Sequence, residues 1–217
     1  ADLARFGVRF DSWFSEESLH TSGAVAETLD LLRASGNAYE SEGALWLRST
    51  SFGDGADRVL VRATGAPTYL AADIAYHRGK FARGFDRVID IWAADHHGYV
   101  VRTHAAVAAL GLDPERLEIL IYEPVRLLKG GEVVRMSRRA GDVIPLSDLM
   151  DEVGADTARF CFLMSAAESR VDFDVDLAHQ ESCDNPLYCV RSAHARLCAA
   201  LTRLEAPEVD AEPAPTG

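Results

Sequence analysis

The chain lacks any apolar run long enough to cross a bilayer, and residues 1–5 (Ala-Asp-Leu-Ala-Arg) lack the apolar segment of a secretory signal peptide. Its four cysteines show no Cys-x-x-Cys spacing, which favours reduced thiols over a zinc site and is typical of a cytoplasmic protein. Basic residues are also scarce, with 22 lysines and arginines against 34 aspartates and glutamates in 217 residues. The net charge of −12 argues against broad, non-specific binding to nucleic acid, although it allows a local basic site.

The middle of the chain alternates strand patterns with helix patterns. Apolar runs at 58–62, 87–92 and 117–122 predict strands, the last two of them buried, and helical patterns at 68–81 and 98–110 separate them. Strand, helix, strand, helix, strand is the order of a parallel sheet wrapped by helices, so the sequence predicts an α/β fold. Upstream of this region the patterns predict a short strand, a helix and a hairpin, at 8–10, 24–32 and 38–47.

The last part of the chain is mainly helical in pattern. A turn between two short strands and then two helices are predicted, at 129–132, 146–150 and 155–164. From residue 178 the pattern is purely helical, and Asn185-Pro186 is expected to open a long helix because proline suits the first turn. Residues 206–217, rich in proline, glutamate and alanine, are predicted to be a disordered tail.

Residues 134–141 (Val-Arg-Met-Ser-Arg-Arg-Ala-Gly) crowd three arginines, a serine and a glycine into eight positions of an acidic chain. Transfer of a phosphoryl or nucleotidyl group needs cations where negative charge develops on phosphate oxygens. Arg138 and Arg139, with Ser137, could supply them, and Gly141 permits a backbone turn that a side chain would obstruct. From composition alone, a solvated loop with incidental arginines is an equal alternative.

Residues 93–99 (Ala-Ala-Asp-His-His-Gly-Tyr) follow a predicted strand and precede a predicted helix. Ligands of open α/β sheets bind at the carboxyl ends of strands, so this turn is a candidate binding element. Asp95 could accept hydrogen bonds from a ligand hydroxyl, or simply from backbone N–H groups as a helix cap. His96 and His97 also allow a metal-binding metallophosphoesterase, although the further aspartate and histidine motifs of that class are missing.

Acidic and aromatic residues form a third candidate set. The predicted helix 68–81 carries such residues at i, i+4, i+7 and i+8 of one face: Tyr69, Asp73, Tyr76 and His77. A carboxylate beside phenol rings makes a pocket for a guanidinium or ammonium group, and Glu16, in the stretch 10–18, could bind the same kind of cation. The alternatives are an ordinary amphipathic face with Asp73 exposed, and glutamates that merely favour the start of a helix.

Taken in order, these segments resemble the arginyl-tRNA synthetases, a family of class I aminoacyl-tRNA synthetases. The likeness runs over most of residues 5–205, and its matching stretches are 10–18, 48–62, 68–77, 92–99, 134–141 and 184–196. It implies the second half of a Rossmann-like nucleotide-binding catalytic domain, a parallel sheet with flanking helices, over residues 1–177. A helical segment at 178–205 would then begin the anticodon-binding domain, and 206–217 would be the tail.

The resemblance implies ATP-dependent activation of arginine and its transfer to the 3′ end of tRNA(Arg), with ATP supplied as its Mg²⁺ complex and no metal held by the protein. The loop 134–141, named the signature loop below, would act on the ATP phosphates through Arg135, Met136, Ser137, Arg138 and Arg139. The expected ATP-binding residues are Ala93, Asp95, His96, His97, Gly98, Val134 and Met136. The expected arginine-binding residues are Glu16, Tyr69, Asp73 and Tyr76.

Three departures from the family pattern matter. The family usually has glycine where Ala93 stands and often has lysine where Arg138 stands, and arginine keeps the charge but changes its geometry. No His-x-Gly-His element occurs in the sequence, although the family carries one in the first half of its nucleotide-binding fold. We therefore expect this chain to be inactive without the missing N-terminal half of the catalytic domain. The alternative is a non-catalytic remnant that binds tRNA or a partner chain.

Overall fold

The computed structural model describes residues 1–134 and 144–205. Its helices are α1 (Asp2–Arg5), α2 (Glu17–Thr21), α3 (Ala24–Ala34), α4 (Tyr69–Ala82), α5 (Val100–Ala109), α6 (Leu146–Val153), α7 (Ala155–Leu163), α8 (Val175–Ala178) and α9 (Pro186–Glu205). Its strands are β1 (Ala38–Ser41), β2 (Ala44–Leu47), β3 (Arg58–Val61), β4 (Val88–Ala93), β5 (Leu117–Tyr122), β6 (Arg126–Lys129), β7 (Glu132–Val133) and β8 (Asp172–Asp174). Within these described residues, no helix has both the length and the apolarity needed to span a membrane. The predicted tail at 206–217 lies outside them.

The chain divides into two compact units. The larger unit comprises Phe10–Pro124 with Ala167–Arg170. The smaller unit comprises the described residues of Ala1–Arg9, Val125–Ala166 and Val171–Gly217.

In the larger unit, α2 and α3 are followed by an antiparallel meander of β1, β2 and β3. The predicted hairpin is confirmed, and its turn places Glu42 and Gly43 at φ 52° and 74°. Positive φ at both central residues matches the twist of two-residue hairpins. The prediction that β3 belongs to the parallel sheet is wrong, because β3 pairs antiparallel with β2. Only ten residues separate these strands (48–57), whereas a parallel pairing needs a crossover of a dozen or more.

The parallel sheet of the larger unit is the pair β4 and β5, with α5 as its crossover. The register runs from Val88 opposite Leu117 to Ala93 opposite Tyr122. The other edge of β4 is paired by no strand in the described part of the chain. The prediction of a wholly buried strand at 87–92 is wrong for Ile89 and Ile91. Their side chains share one face of β4 and are exposed, whereas Val88 and Asp90 on the opposite face are buried.

The core of the larger unit joins the meander to α3 and α4. Its fully buried leucines are Leu32 of α3, Leu45 and Leu47 of β2, and Leu60 of β3. A second cluster under the parallel pair joins Phe81 of α4 and Val107 of α5 to Val88 and Leu117. These two clusters hold α4 between the meander and the parallel strands, which fixes the helix that carries most of the candidate site.

A buried ion pair fixes the loop between β2 and β3. The carboxylate of Asp54, whose side chain is only 5% exposed, accepts hydrogen bonds from Arg58 Nε and Nη2, both at 2.7 Å, and from the N–H of Gly55. The guanidinium of Arg58 is the main cause that lowers the pKa of Asp54 to about 2, against the opposing effect of burial. The 3₁₀ turn Ser49–Phe52 in this loop packs against α5, so the pair also supports the helix that follows the 93–99 element.

We expect Asp54→Asn to lower the free energy of unfolding by about 2 kcal/mol at neutral pH, since the folded-state pKa lies below the unfolded one. The contribution is present above the unfolded pKa of roughly 4 and is lost as pH falls through the folded value of about 2. Urea unfolding at pH 7 and again near pH 2 measures it. Asp30→Asn, which removes an exposed carboxylate paired with Arg33, is the control and should cost little. An equal loss at both pH values would contradict this account.

The smaller unit contains a sheet in the order β7, β6, β8. The predicted turn at 129–132 is confirmed as the connection of the antiparallel pair β6 and β7, and β8 adds parallel to β6. The predicted helices at 146–150 and 155–164 correspond to α6 and α7. Pro186 opens α9 as predicted, and the side chain of Asn185 accepts a hydrogen bond from the N–H of Leu187 at 3.1 Å. The core of this unit consists of Leu127, Leu149, Ala158, Phe173 and Val175.

The strand predicted at 8–10 is wrong, because these residues belong to no strand. They follow the short helix α1, and the N–H of Val8 donates back to the carbonyl of Leu3 at 2.7 Å. A three-residue apolar pattern carries too little periodicity to distinguish a strand from the end of a helical turn.

Candidate active site

Helix α4 carries most of the candidate site, and Thr68 precedes its first residue. The side chain of Thr68 makes no hydrogen bond that caps α4, and its hydroxyl donates instead to the carbonyl groups of Val59 (2.9 Å) and Leu60 (3.2 Å). The N–H of Thr68 also donates to Leu60, at 2.8 Å. The start of α4 is therefore fixed to β3, which sets where the side chains of its first turns lie.

A cavity of about 150 Å³ lies beside α4 and the segment that leads into α2. Its lining residues are Phe14, Glu16, Leu19, Ala72, Asp73 and Tyr76. The structure thus brings together three of the four residues expected to bind arginine. The fourth, Tyr69, is 82% exposed and does not line this cavity.

An aromatic wall closes one side of this cavity. The ring of Tyr76 stacks on Phe14 with centroids 4.6 Å apart, and Lys80 Nζ lies 4.3 Å from the Tyr76 ring centroid. A phenol ring held between an aromatic ring and an ammonium group is fixed in orientation. Tyr76 is therefore a rigid wall rather than a mobile surface side chain.

Two carboxylates, Glu16 and Asp73, face the same small space. Neighbouring atoms desolvate Asp73 although it retains exposed surface, and this desolvation raises its pKa above the ordinary value. The nearby His77 opposes that rise, and the negative charge of Glu16 adds to it. Carboxylates placed together in a partly desolvated site favour a cationic ligand, because a cation removes both the repulsion and the cost of desolvation.

A buried polar cluster lies behind Asp73, and we call its members His77, Lys80 and Asp90 the α4–β4 cluster. His77 is 4% exposed and Asp90 is 6% exposed. Asp90 Oδ2 lies 2.7 Å from His77 Nε2, and Asp90 Oδ1 accepts a hydrogen bond from Lys80. Burial raises the pKa of Asp90, but its interactions with His77 and Lys80 outweigh this effect, so the pKa is lowered overall.

Helical spacing predicts His77 on the face of Tyr69, and the sequence patterns did not point to Asp90. One residue along a helix corresponds to a rotation of about 100°, so His77 points to the sheet although the adjacent Tyr76 lines the cavity. Asp90 carried a usable signal, since a single carboxylate within the apolar strand β4 requires a buried partner. The sequence alone does not identify that partner as a histidine thirteen positions earlier.

The 93–99 element lies where the sequence placed it, at the carboxyl end of a parallel strand. Ala93 ends β4, Ala94–Tyr99 forms a 3₁₀ turn, and α5 begins at Val100 rather than at the predicted residue 98. Asp95, His96, His97 and Gly98 are all exposed on this turn. Asp95 does not cap the helix, and its nearest described partner is His96 Nε2 at 3.7 Å. The turn therefore presents exposed polar groups at the position where ligands of such sheets bind.

The remaining expected site residues belong to the smaller unit or lie outside the described residues. Val134 is in the smaller unit, where its N–H donates to the carbonyl of Leu127 at 2.8 Å and its side chain packs on the core. Arg135, Met136, Ser137, Arg138 and Arg139 lie outside the described residues. Across residues 1–134 and 144–205, no group of three or more His, Cys, Asp or Glu could hold a metal ion, so His96 and His97 have no ligand set around them for a metallophosphoesterase.

Fold and site together define a class of protein: a Rossmann-like α/β domain with an exposed polar turn at its strand ends and a cavity beside α4 that is lined by two carboxylates. The family model described as the catalytic domain of class I tRNA synthetases (R) matches residues 4–169. The chain belongs to this family, which confirms the resemblance drawn from the sequence.

Curated relatives agree with the family. The arginine–tRNA ligase of Desulfitobacterium hafniense (strain DSM 10664 / DCB-2) is 60% identical over 199 residues, which cover 92% of this chain and 36% of the relative. The arginine–tRNA ligase of Heliobacterium modesticaldum is 57% identical over 199 residues, covering 92% of this chain and 35% of the relative. The chain therefore spans about a third of the length of the curated relatives it matches.

Solved structures agree with the fold. A crystal structure of an arginyl-tRNA synthetase from Campylobacter jejuni matches with a TM-score of 0.86 and 41% identity, covering 93% of this chain and 44% of that one. The Thermus thermophilus arginyl-tRNA synthetase matches with a TM-score of 0.74 over 98% of this chain and 46% of its own; at 20% identity it supports the fold alone. The predicted α/β class, a Rossmann-like parallel sheet followed by a helical segment, is confirmed.

Proposed function

We propose that the protein containing this chain is an arginine–tRNA ligase, which forms arginyl-adenylate from arginine and ATP and transfers the arginyl group to the 3′ end of tRNA(Arg). The observation that carries this proposal is the cavity lined by Glu16, Asp73 and the ring of Tyr76. Two carboxylates suit a guanidinium group, whose planar array of donors can meet both of them. Tyr69 contributes from the exposed start of α4 once the substrate is bound.

The reaction needs no covalent intermediate with the protein. A carboxylate oxygen of arginine attacks the α-phosphorus of ATP, the bond to the bridging oxygen breaks, and pyrophosphate leaves. A ribose hydroxyl at the tRNA 3′ end then attacks the carbonyl carbon of the adenylate, and AMP leaves. The protein contributes position and charge to both steps, and these effects suffice for large rate accelerations.

The adenosine and phosphates of ATP are assigned to two segments. The turn that carries Ala93, Asp95, His96, His97 and Gly98 binds the adenosine, and its place at the strand end supports this. The signature loop, with Arg135, Met136, Ser137, Arg138 and Arg139, stabilises the charge on the phosphates, and Val134 and Met136 complete the ATP site. Mg²⁺ is proposed to enter as the ATP complex.

The remainder of the catalytic domain is proposed to complete the sheet along the unpaired edge of β4. A groove of about 490 Å³ follows this edge, lined by Lys80, Arg83, Tyr76 and the residues of β4. An unpaired strand edge with exposed isoleucines is the surface that a further strand would cover. We also assign residues 178–205 to the start of the anticodon-binding domain and place the reaction in the cytoplasm.

Arginine-dependent exchange of pyrophosphate into ATP tests the proposal on the full-length protein. We expect arginine to support exchange and citrulline, a neutral isostere of its side chain, to be discriminated against by about 10⁴-fold, because two carboxylates would lose their cationic partner. Exchange without dependence on arginine would contradict the proposal. The 217-residue chain alone should show no exchange, and activity from it would disprove the expectation that the missing half is required.

A further inference from the structure

The imidazole of His77 lies between two hydrogen-bond acceptors. Its Nε2 is 2.7 Å from the carboxylate oxygen Oδ2 of Asp90, and its Nδ1 is 2.7 Å from the backbone carbonyl oxygen of Asp73, one helical turn earlier. A neutral imidazole carries one N–H and one lone pair, so it can donate to only one of these oxygens. With a neutral ring, the other contact would bring two lone pairs together at 2.7 Å. The observed geometry fits a ring that donates from both nitrogens.

We propose that Asp90 holds His77 as an imidazolium, and that His77 is a positioning residue whose charge keeps Asp73 ionised for binding the guanidinium of arginine. This inference rests on the proposed function, since the guanidinium is its ligand. His77 does not touch the cavity itself. It acts through Asp73 in two ways. Its positive charge attracts the Asp73 carboxylate, and its Nδ1–H donates a hydrogen bond to the backbone carbonyl of Asp73.

The charges around His77 support this role. Asp90 on β4 faces it with one negative charge, and Lys80 on the same helix adds a second positive charge. The side of the ring towards α5 meets Thr103, Ala106 and Val107, which carry no charge. The α4–β4 cluster with a charged His77 therefore carries a net charge of about +1, which lies behind the two carboxylates of the cavity.

The opposing effects on the pKa of Asp73 explain why the positive charge of His77 is needed. Desolvation raises the pKa of Asp73, the charge of His77 lowers it, and Glu16 raises it again. Loss of the His77 charge would leave desolvation and Glu16 opposed mainly by Lys80, so Asp73 would bind a proton at a higher pH. A protonated Asp73 has lost the charge that attracts guanidinium, and arginine would bind more weakly.

His77→Gln in the full-length protein separates charge from hydrogen bonding, because glutamine can still donate to Asp90 but carries no charge. We expect the acidic limb of kcat/KM for arginine to move to higher pH by about one unit, with kcat at saturating arginine nearly unchanged. The matched control is His104→Gln. His104 also has both ring nitrogens near backbone carbonyls, those of Val100 and Leu117 at 3.0 Å, but among the described residues it has no carboxylate partner. Its replacement should leave the acidic limb in place.

A double-mutant cycle with Asp73→Asn shows whether His77 acts through Asp73. If it does, His77→Gln raises the KM for arginine in the wild-type background and has little further effect once Asp73 is asparagine. An equal rise in both backgrounds, or an acidic limb that does not move, would overturn the inference. Absence of arginine-dependent exchange in the unmutated protein would instead overturn the proposed function.

Nitrogen NMR of ¹⁵N-histidine-labelled protein tests the charge of His77 without any activity or any altered fold. His77→Gln serves only to assign its signals. Both ring nitrogens of His77 should show the chemical shifts of protonated nitrogen at the pH of the exchange measurements, because each of them faces a hydrogen-bond acceptor. A neutral tautomer of His77 under those conditions would refute the inference even if the kinetics changed.

Discussion

Replacing Asp73 by asparagine is expected to raise the KM for arginine by about 10- to 100-fold while kcat changes little. Asparagine has nearly the same shape, so the cavity wall is kept and only the charge is removed. Hydrogen bonds to charged groups contribute about 1.5–3 kcal/mol each, and the loss of one such bond corresponds to a rise in KM of about 10- to 100-fold. Glu16 faces the same cavity and keeps part of the attraction for guanidinium, so binding is weakened rather than abolished.

The pH dependence gives this prediction a second readout. Because the pKa of Asp73 is raised, the unmutated protein should lose affinity for arginine as acid protonates this carboxylate. The variant has no carboxylate at this position, so this acidic limb should be absent from its kcat/KM profile. Asp30→Asn, on the exposed face of α3, is the control, and its KM for arginine and the acidic limb of its kcat/KM profile should match those of the unmutated protein. A KM that stays unchanged in Asp73→Asn would show that Asp73 does not face the guanidinium.

Arg138→Ala is expected to slow arginine activation by on the order of 10²–10³, the effect typical of removing one donor that stabilises transition-state charge. Arg138 lies outside the described residues, so this prediction rests on the sequence of the signature loop and on the family. The negative charge that develops at the α-phosphorus loses a fixed cation, whereas ground-state binding of ATP retains the neighbouring Arg135 and Arg139. The loss should therefore fall on kcat more than on the KM for ATP.

Two further variants distinguish a specific role from a general effect of charge. Arg138→Lys should retain most of the rate, because the family often has lysine at this position, although an ammonium group lacks the fork of donors of a guanidinium. Arg33→Ala removes an equal charge from surface ion pairs with Asp30 and Glu40 and should leave the rate unchanged. If Arg138→Ala exchanges pyrophosphate at the normal rate, the assignment of the signature loop is wrong.

Sequence patterns predicted the elements whose signals are local. The Glu42-Gly43 turn fixed the hairpin, and Asn185-Pro186 fixed the start of α9, because each depends on backbone preferences within a few residues. The sheet membership of β3 could not be predicted in the same way. A strand followed by a helix fits either a parallel sheet or an antiparallel meander, and only the partner strand decides between them.

The candidate site shows the same division. The position of Asp95 at a strand end and the approach of Asp73 to a second carboxylate followed from element order and from the family resemblance. The α4–β4 cluster did not, because its members meet only when α4 packs on β4, at a sequence separation that no periodicity marks. Tyr69 was grouped with Asp73 by helical spacing, yet its ring extends into solvent, since spacing gives a direction around the helix but not what surrounds it.

The ring of Tyr76 lines both the acidic cavity and the groove along β4, and Lys80 joins the same ring to the buried Asp90. The ring of Tyr76 therefore forms part of the wall of both the cavity and the groove. Under the proposed function, strands docked in the groove would contact this ring from one side and arginine bound in the cavity would contact it from the other. By thermodynamic linkage, any factor by which sheet completion tightens arginine binding is the factor by which arginine tightens the docking of the completing strands. In the proposed enzyme the amino acid would then be a ligand that also stabilises the assembly of its own site.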